Sequence, residues 1–341
     1  MKCVRKNQAS GVSLVDVIEP VCRDNDVLIK MKSCGICGSD LGNIFGDSCR
    51  PSSKLGHEVA GIIVKKGNNV KEFDLNDRVF VHHHAPCNNC HYCKHGNQTM
   101  CEKYVECLEP CGMSEKFLVP EWNIRHGSLI KIPDTMSFEE ASLIEPLACC
   151  IRAWKKLSFS KNDSVLVFGV GPIGVMHAML AKHYGFGKIF CVDTNEFRLN
   201  FCKDANIGIP LKGDESNISE KISTHTSDLD LIIIATSQTK VFHSAINLVR
   251  KGGTILLFGE PSKECNLKMD LSKIYSKEIS VIPSYAASTN EIRESFEIIN
   301  NKSINIRQLI THKIPIQNIT KALNYARSGD AVMKVVITNE L

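Results

Sequence analysis

The sequence predicts a two-domain protein of α/β plus β class, in which an all-β, barrel-like domain accompanies a doubly wound parallel sheet. Three observations carry this. The chain has 341 residues, more than one ordinary core, since domains run to about 100–200 residues. Its first third reads as short strands broken by turn residues, and its middle alternates apolar strands with helical runs. Hydrophobic residues at 43% and charged residues at 23% match a folded globular chain.

Charge and cysteine usage narrow the function classes. The net charge of +4 comes from 41 basic and 37 acidic residues dispersed along the chain, whereas nucleic-acid binders cluster their basic residues. No nucleic-acid partner is expected. Behind the basic N-terminus there is no apolar stretch, and apolar runs such as Leu229–Ala235, with Asp230 inside, fall far short of the roughly 18 residues that span a bilayer. A cytoplasmic protein with no membrane partner is the expectation. Sixteen cysteines spread over so long a chain read as free thiols and metal thiolates rather than a disulfide framework. Cys191, in an apolar strand pattern, reads as a small buried hydrophobe.

From Val12 to Lys32, and again at Glu58–Val64 and Arg78–Val81, short alternating runs are separated by Pro20, Asn25, Gly67-Asn68-Asn69 and Asn76-Asp77. Between these strands lies Cys34-Gly-Ile-Cys37-Gly-Ser39-Asp40, followed by Gly56-His57-Glu58. A thiolate, an imidazole and a carboxylate are the donors of a catalytic zinc site with one open position. Either cysteine can be the ligand. Cys87, Cys90, Cys93 and Cys101 form a C-x2-C-x2-C-x7-C series that closes a tetrahedron around a structural zinc. Iron–sulfur ligation fits less well, because the bacterial ferredoxin spacing is C-x2-C-x2-C-x3-C-P. His82-His83-His84 precede this lobe, but successive strand residues face opposite ways, so the three are not expected on one ion, and one of them is a candidate to face the active-site cleft.

Ala141–Trp154 is rich in helix formers, and Pro146 sets the helix start near Glu145. A carboxylate there is either a cap or a fourth partner for the metal. Cys149 and Cys150 compete for that place but read more simply as core thiols. Next, the apolar strand Ser164–Phe168 runs into Gly169-Val-Gly171-Pro172-Ile173-Gly174 and a helical run from Val175 to Tyr184. Strand, glycines and helix in that order form a dinucleotide-binding unit. The next strand ends at Asp193, 19 positions after Gly174, placed to bind an adenosine ribose hydroxyl and repel a 2′-phosphate, so NAD is expected over NADP. Arg198 is a further candidate near the adenine or a phosphate. Strands at Leu229–Ala235 and Thr254–Phe258 flank a helix at Val241–Val249, and the strand ends Ala235-Thr236-Ser237 and Phe258–Pro261 are expected to face the cofactor. The chain then closes with Ile306–Ile314, a helix at Ile319–Ala326 and the strand Val332–Ile337.

With Cys37-Gly-Ser-Asp, Gly56-His-Glu, the four-cysteine series, Glu145-Pro-Leu and the glycine unit in this order, the chain resembles the zinc-dependent medium-chain alcohol dehydrogenases, in particular the polyol and sugar dehydrogenase branch. The resemblance implies a GroES-like β-barrel catalytic domain from residues 1–151 and 287–341, with the structural zinc lobe at about 82–107, and a Rossmann NAD-binding domain at 152–286. It implies a site in the cleft between them, a homodimer or homotetramer, and two zinc ions per chain. Cys37 becomes the catalytic ligand with His57, and Glu58 or Glu145 supplies a carboxylate directly or through water. Ser39 becomes the acceptor of the hydroxyl proton, Asp40 the support of His57, and Gly169, Gly171, Pro172, Ile173, Gly174, Asp193, Arg198 and Thr236 the cofactor site.

Two departures stand out. Gly42 occupies the place where many relatives carry the histidine that completes a proton relay, and Pro283-Ser-Tyr285 replaces an Arg-Tyr pair of the polyol branch, which counts against sorbitol itself. The function expected is NAD-dependent interconversion of a secondary alcohol, polyol or sugar-derived, with its ketone. Threonine-type or simple alcohol dehydrogenation, and a non-catalytic nucleotide binder on the same fold, are the alternatives.

Overall fold

Alternating apolar residues build the strands of the first third, and the turns between them fall at the Asn and Gly clusters. The computed structural model describes residues 1–7, 11–46, 54–105, 107–213, 218–261, 265–267 and 269–339; residue 106 of the expected lobe lies outside them. Strands β1 (Lys2–Lys6) and β2 (Val12–Asp16) form an antiparallel ribbon; the first is an addition to the expected strands. A larger sheet is built from β3 (Val27–Gly35), β4 (Glu58–Lys66), β5 (Arg78–His82), β6 (Lys116–Val119) and β7 (Leu129–Lys131). Helix α1 (Gly38–Phe45) leaves the end of β3, and α2 (Ile144–Trp154) begins at the residue before Glu145. Pro146 sits in its first turn, where no backbone N–H is missed.

The middle of the chain forms a six-stranded sheet from β8 (Ser164–Phe168), β9 (Lys188–Asp193), β10 (Ile209–Lys212), β11 (Leu231–Ile234), β12 (Thr254–Leu257) and β13 (Ser280–Pro283). Every pairing is parallel and the order is β10-β9-β8-β11-β12-β13. The order reverses between β8 and β11, the switch point at which doubly wound sheets bind ligands. All five residues of β8 are buried, as helices on both faces require. Helix α3 (Pro172–His183) follows β8, and α4 (Glu196–Asp204) follows β9. α3 starts three residues earlier than Val175, because Pro172 is preorganised for the first helical position. Against α3, Trp154 Nε1 donates to His177 Nδ1 at 3.1 Å, and burial keeps that imidazole's pKa down at about 3.

The last strands, β14 (Ile310–Pro315) and β15 (Lys334–Thr338), return to the first sheet, whose order is β14-β15-β3-β4-β5-β7 with β6 also on β3. Residues 306–309, expected as strand, form a 3-10 turn ahead of β14. The chain divides into two compact units, Met1–Ala148 with Ala286–Leu341, and Cys149–Tyr285; the expected limits were 151/152 and 286/287. Among the described residues no helix is long and apolar enough to cross a membrane.

Candidate active site and metal centres

Two groups of metal-donor side chains form among the described residues, and both lie in the first unit. In the first, Cys87, Cys90, Cys93 and Cys101 bring four sulfurs together. Sγ separations are 3.5 Å for Cys90–Cys93 and Cys87–Cys101 and 4.0 Å for Cys87–Cys93. A zinc with bonds of about 2.3 Å gives sulfur–sulfur edges of about 3.8 Å, so the donor set fits one tetrahedral ion. Backbone N–H groups of Asn89 and Cys90 point at Cys87 Sγ, and those of Cys87 and Lys103 at Cys101 Sγ. The Asn89 and Cys90 bonds lead in pulling the Cys87 thiol down to about 6, whereas burial, with Cys90 adding to it, pushes Cys93 up to about 12.

The second group is Cys37, His57 and Glu58, whose donor atoms all lie within 4.8 Å of one another. Cys37 caps the N-terminus of α1 and is half-buried. Cys34 is fully buried inside β3, and burial drives its thiol well above the ordinary range; it packs and does not reach the donor group. Asp40 holds the site together: Oδ2 accepts the Cys37 N–H at 3.0 Å, and Oδ1 accepts the Gly56 N–H at 3.0 Å and lies 3.7 Å from His57 Nδ1. It therefore caps the helix and faces the imidazole at once. Burial pulls the His57 pKa down, but Asp40, Cys37 and Glu145 outweigh it and hold it well above the usual histidine value. Ser39 lies half-buried in the first turn of α1, with Gly42 one turn on.

Glu145 is buried in the first turn of α2 and is not part of the three-donor group, although its charge reaches His57. Cys149 and Cys150 also stand outside both donor groups. The histidine triplet stays outside both donor groups, as expected, though strand alternation is not what separates it. β5 ends at His82, so strand alternation stops there, and the His83 and His84 rings lie 3.8 Å apart by centroid with His83 4.9 Å from His57. Burial holds His82 at about 3 and pushes His83 and His84 well below the normal value. Of the three candidates for the active-site side, His83 is the one that meets His57. Lys334 was missed; its Nζ lies 2.7 Å from Glu58 Oε1 and 2.5 Å from Oε2. A lone lysine in the apolar run Val332–Ile337 was its signal.

In the second unit, the glycine turn has the geometry of a phosphate cradle. Gly169 has φ +84°, and a Cβ at Gly174 would lie 1.9 Å from the Gly169 carbonyl oxygen, so neither position admits a side chain. Gly171 caps α3, Pro172 and Ile173 open it, and the free N–H groups of such a terminus attract an anion. Asp193 Oδ2 accepts the Val170 N–H at 2.9 Å and Oδ1 the Asn195 N–H at 3.0 Å, which ties the turn to the end of β9. Arg198 Nη1 lies 3.5 Å from Asp193 Oδ2, beside Gly171. Thr236, beyond β11, abuts Gly169. These groups could hold a dinucleotide.

Residues 23–134 match the family model of the alcohol dehydrogenase GroES-like domain, and residues 172–301 that of the zinc-binding dehydrogenases. A sorbitol dehydrogenase of Halalkalibacterium halodurans is 31% identical over 329 residues, covering 94% of this chain and 93% of that protein. The chain belongs to the zinc-dependent medium-chain dehydrogenase family. It is also 27% identical over 349 residues to an L-threonine 3-dehydrogenase of Yersinia pestis, with 99% of each chain covered. Among solved structures, a short chain alcohol dehydrogenase from Escherichia coli CFT073, complexed with NADH, superimposes with a TM-score of 0.86 at 25% identity over 99% of both chains. The β-domain and parallel-sheet architecture of this family is the one described above.

Proposed function

We propose that this chain is an NAD-dependent dehydrogenase that interconverts a secondary alcohol, of polyol or sugar-derived type, with its ketone. The observation that carries the reading is the three-donor group of Cys37, His57 and Glu58, which offers a metal mixed donors and leaves a position for substrate. Zinc supplies a Lewis acid that acidifies an alcohol hydroxyl, and NAD supplies the hydride acceptor. The chain's own groups do the rest. Cys37, His57 and Glu58 would hold the metal, with Glu145 near enough to act on it through water. Asp40 fixes His57 and the helix start. Ser39 takes the hydroxyl proton. Because Gly42 has no side chain to pass it on, water or the ribose of a bound cofactor would have to carry the proton onward. Cys87, Cys90, Cys93 and Cys101 would hold a structural zinc.

Gly169, Gly171, Pro172, Ile173 and Gly174 would bind the pyrophosphate, Asp193 the adenosine ribose, with Arg198 and Thr236 beside them. NAD is preferred because the Asp193 carboxylate repels a 2′-phosphate. The likeness to a sorbitol dehydrogenase supports the polyol class, and the likeness to a threonine dehydrogenase supports amino alcohols as the second reading. A homodimer or homotetramer in the cytoplasm is the expected form. NADH absorbance with a panel of polyols, sugar phosphates, amino alcohols and simple secondary alcohols tests this. Turnover of a polyol above the others is expected; a preference for threonine moves the assignment to the second reading, and no turnover in the panel sinks both.

A further inference from the structure

Glu58 is gripped from the far end of the chain. Lys334 opens β15, is buried, and reaches both carboxylate oxygens of Glu58 while donating to the Ile36 carbonyl at 3.0 Å. The strand registers create the meeting: β15 pairs with β3, and on β3 Gly35 stands opposite Glu58 of β4. A Cβ at Gly35 would lie 1.9 Å from Glu58 Oε2 and 3.1 Å from Lys334 Cε, so this glycine makes the room for the pair. An ammonium has three donors and no lone pair. Lys334 therefore cannot ligate a metal, yet it competes with one for Glu58.

Resting on the zinc reading above, we propose that Lys334 is a positioning residue that keeps Glu58 a weak and exchangeable donor, so that a coordination position stays available to substrate. Oε1 accepts a hydrogen bond from the ammonium, which also lies 2.5 Å from Oε2, so the charge that would bind the metal is shared with a second cation in a buried setting. Without Lys334 the carboxylate loses the cation that competes with the metal for it. Altering a group that contacts a metal ligand commonly costs about 10–100-fold in metal affinity; here the altered group is a competing cation, so a change of that size is expected in the opposite direction.

The test is the rate at which a colorimetric chelator captures zinc from the zinc-loaded full chain, with kcat and KM and the visible spectrum of the cobalt-substituted protein alongside. Lys334→Met is expected to slow release of the three-donor zinc roughly tenfold or more, to shift the cobalt bands and to lower kcat more than KM. Lys334→Arg should keep the native rate. In a Glu58→Gln background, Lys334→Met should change nothing. Faster release in Lys334→Met, or an equal effect in both backgrounds, overturns the proposal, since Lys334 would then be structural only. Where Lys334→Met does not fold, Lys334→Gln keeps a donor without the charge and should slow release in the same sense; an unchanged rate overturns. A native chain that releases zinc from the four-thiolate lobe alone refutes the catalytic-zinc reading itself, and this proposal with it.

Discussion

The four-cysteine lobe and the Cys37 site both gather thiolates, but they treat charge and space differently. In the lobe, four sulfurs lie at tetrahedral edge lengths and backbone N–H groups point at them, so a bound ion is enclosed. At Cys37 there are one sulfur, one imidazole and one carboxylate, and the latter two are answered from behind: Asp40 faces His57, and Lys334 faces Glu58. A closed set of identical soft donors suits structure, whereas a mixed set with charged backing suits exchange of a ligand. The contrast makes separable predictions.

Cys37→Ala has the largest expected effect. Turnover followed by NADH absorbance should fall by about 10³-fold or more, a loss of about 4 kcal/mol of transition-state stabilisation, with the circular dichroism spectrum and the lobe metal retained. Full activity in this variant would erase the distinction between the two sites. Cys101→Ser should do the reverse: one zinc lost, residual chemistry at the remaining site, and a melting temperature lower by roughly 6–12 °C for a stability loss of about 3 kcal/mol.

Asp193→Ser sharpens the comparison in the second unit. The carboxylate has two duties, accepting the Val170 and Asn195 N–H groups and offering lone pairs to a ribose. The ratio of kcat/KM with NAD to that with NADP should drop roughly 10–100-fold, by the ~1.5–3 kcal/mol of hydrogen bonds to a charged group. Thermal stability should fall as well. An unchanged ratio would leave Asp193 as a loop tie only.

The smallest effect concerns pH. His177 is buried and neutral with a pKa of about 3, while an unfolded histidine titrates near 6.5. Its folded pKa is depressed, so its contribution is fully present above pH 6.5 and is lost as pH falls from there toward 3, at about 1.4 kcal/mol per pH unit. His177→Gln keeps an acceptor for Trp154 and should reduce the slope of unfolding free energy between pH 6 and 4 by about one proton. An unchanged slope would mean the ring is charged in the fold.

Local features were legible in the sequence because their causes are local. Strands Ser164–Phe168 and Lys188–Asp193 are marked by continuous apolar residues, Pro146 and Pro172 mark helix starts, and the four cysteines carry their own spacing. What escaped is what distant strands bring together. Lys334 and Glu58 lie 276 positions apart, and nothing in either segment names the other. None of His82–His84 joins a metal-donor group, as expected, but strand alternation is not the reason beyond β5, which stops at its first histidine. Between Glu58 and Glu145 the sequence offered no choice; the fold puts Glu58 within the donor group and Glu145 outside it.

The most direct measurement of the central claim is zinc content per chain, by elemental analysis, in the native protein and in Cys37→Ala. Two zinc ions in the native chain and one in the variant, with NAD-linked alcohol oxidation only in the former, are the predicted result. One ion in both would leave the four-cysteine lobe as the sole zinc site and contradict the catalytic assignment.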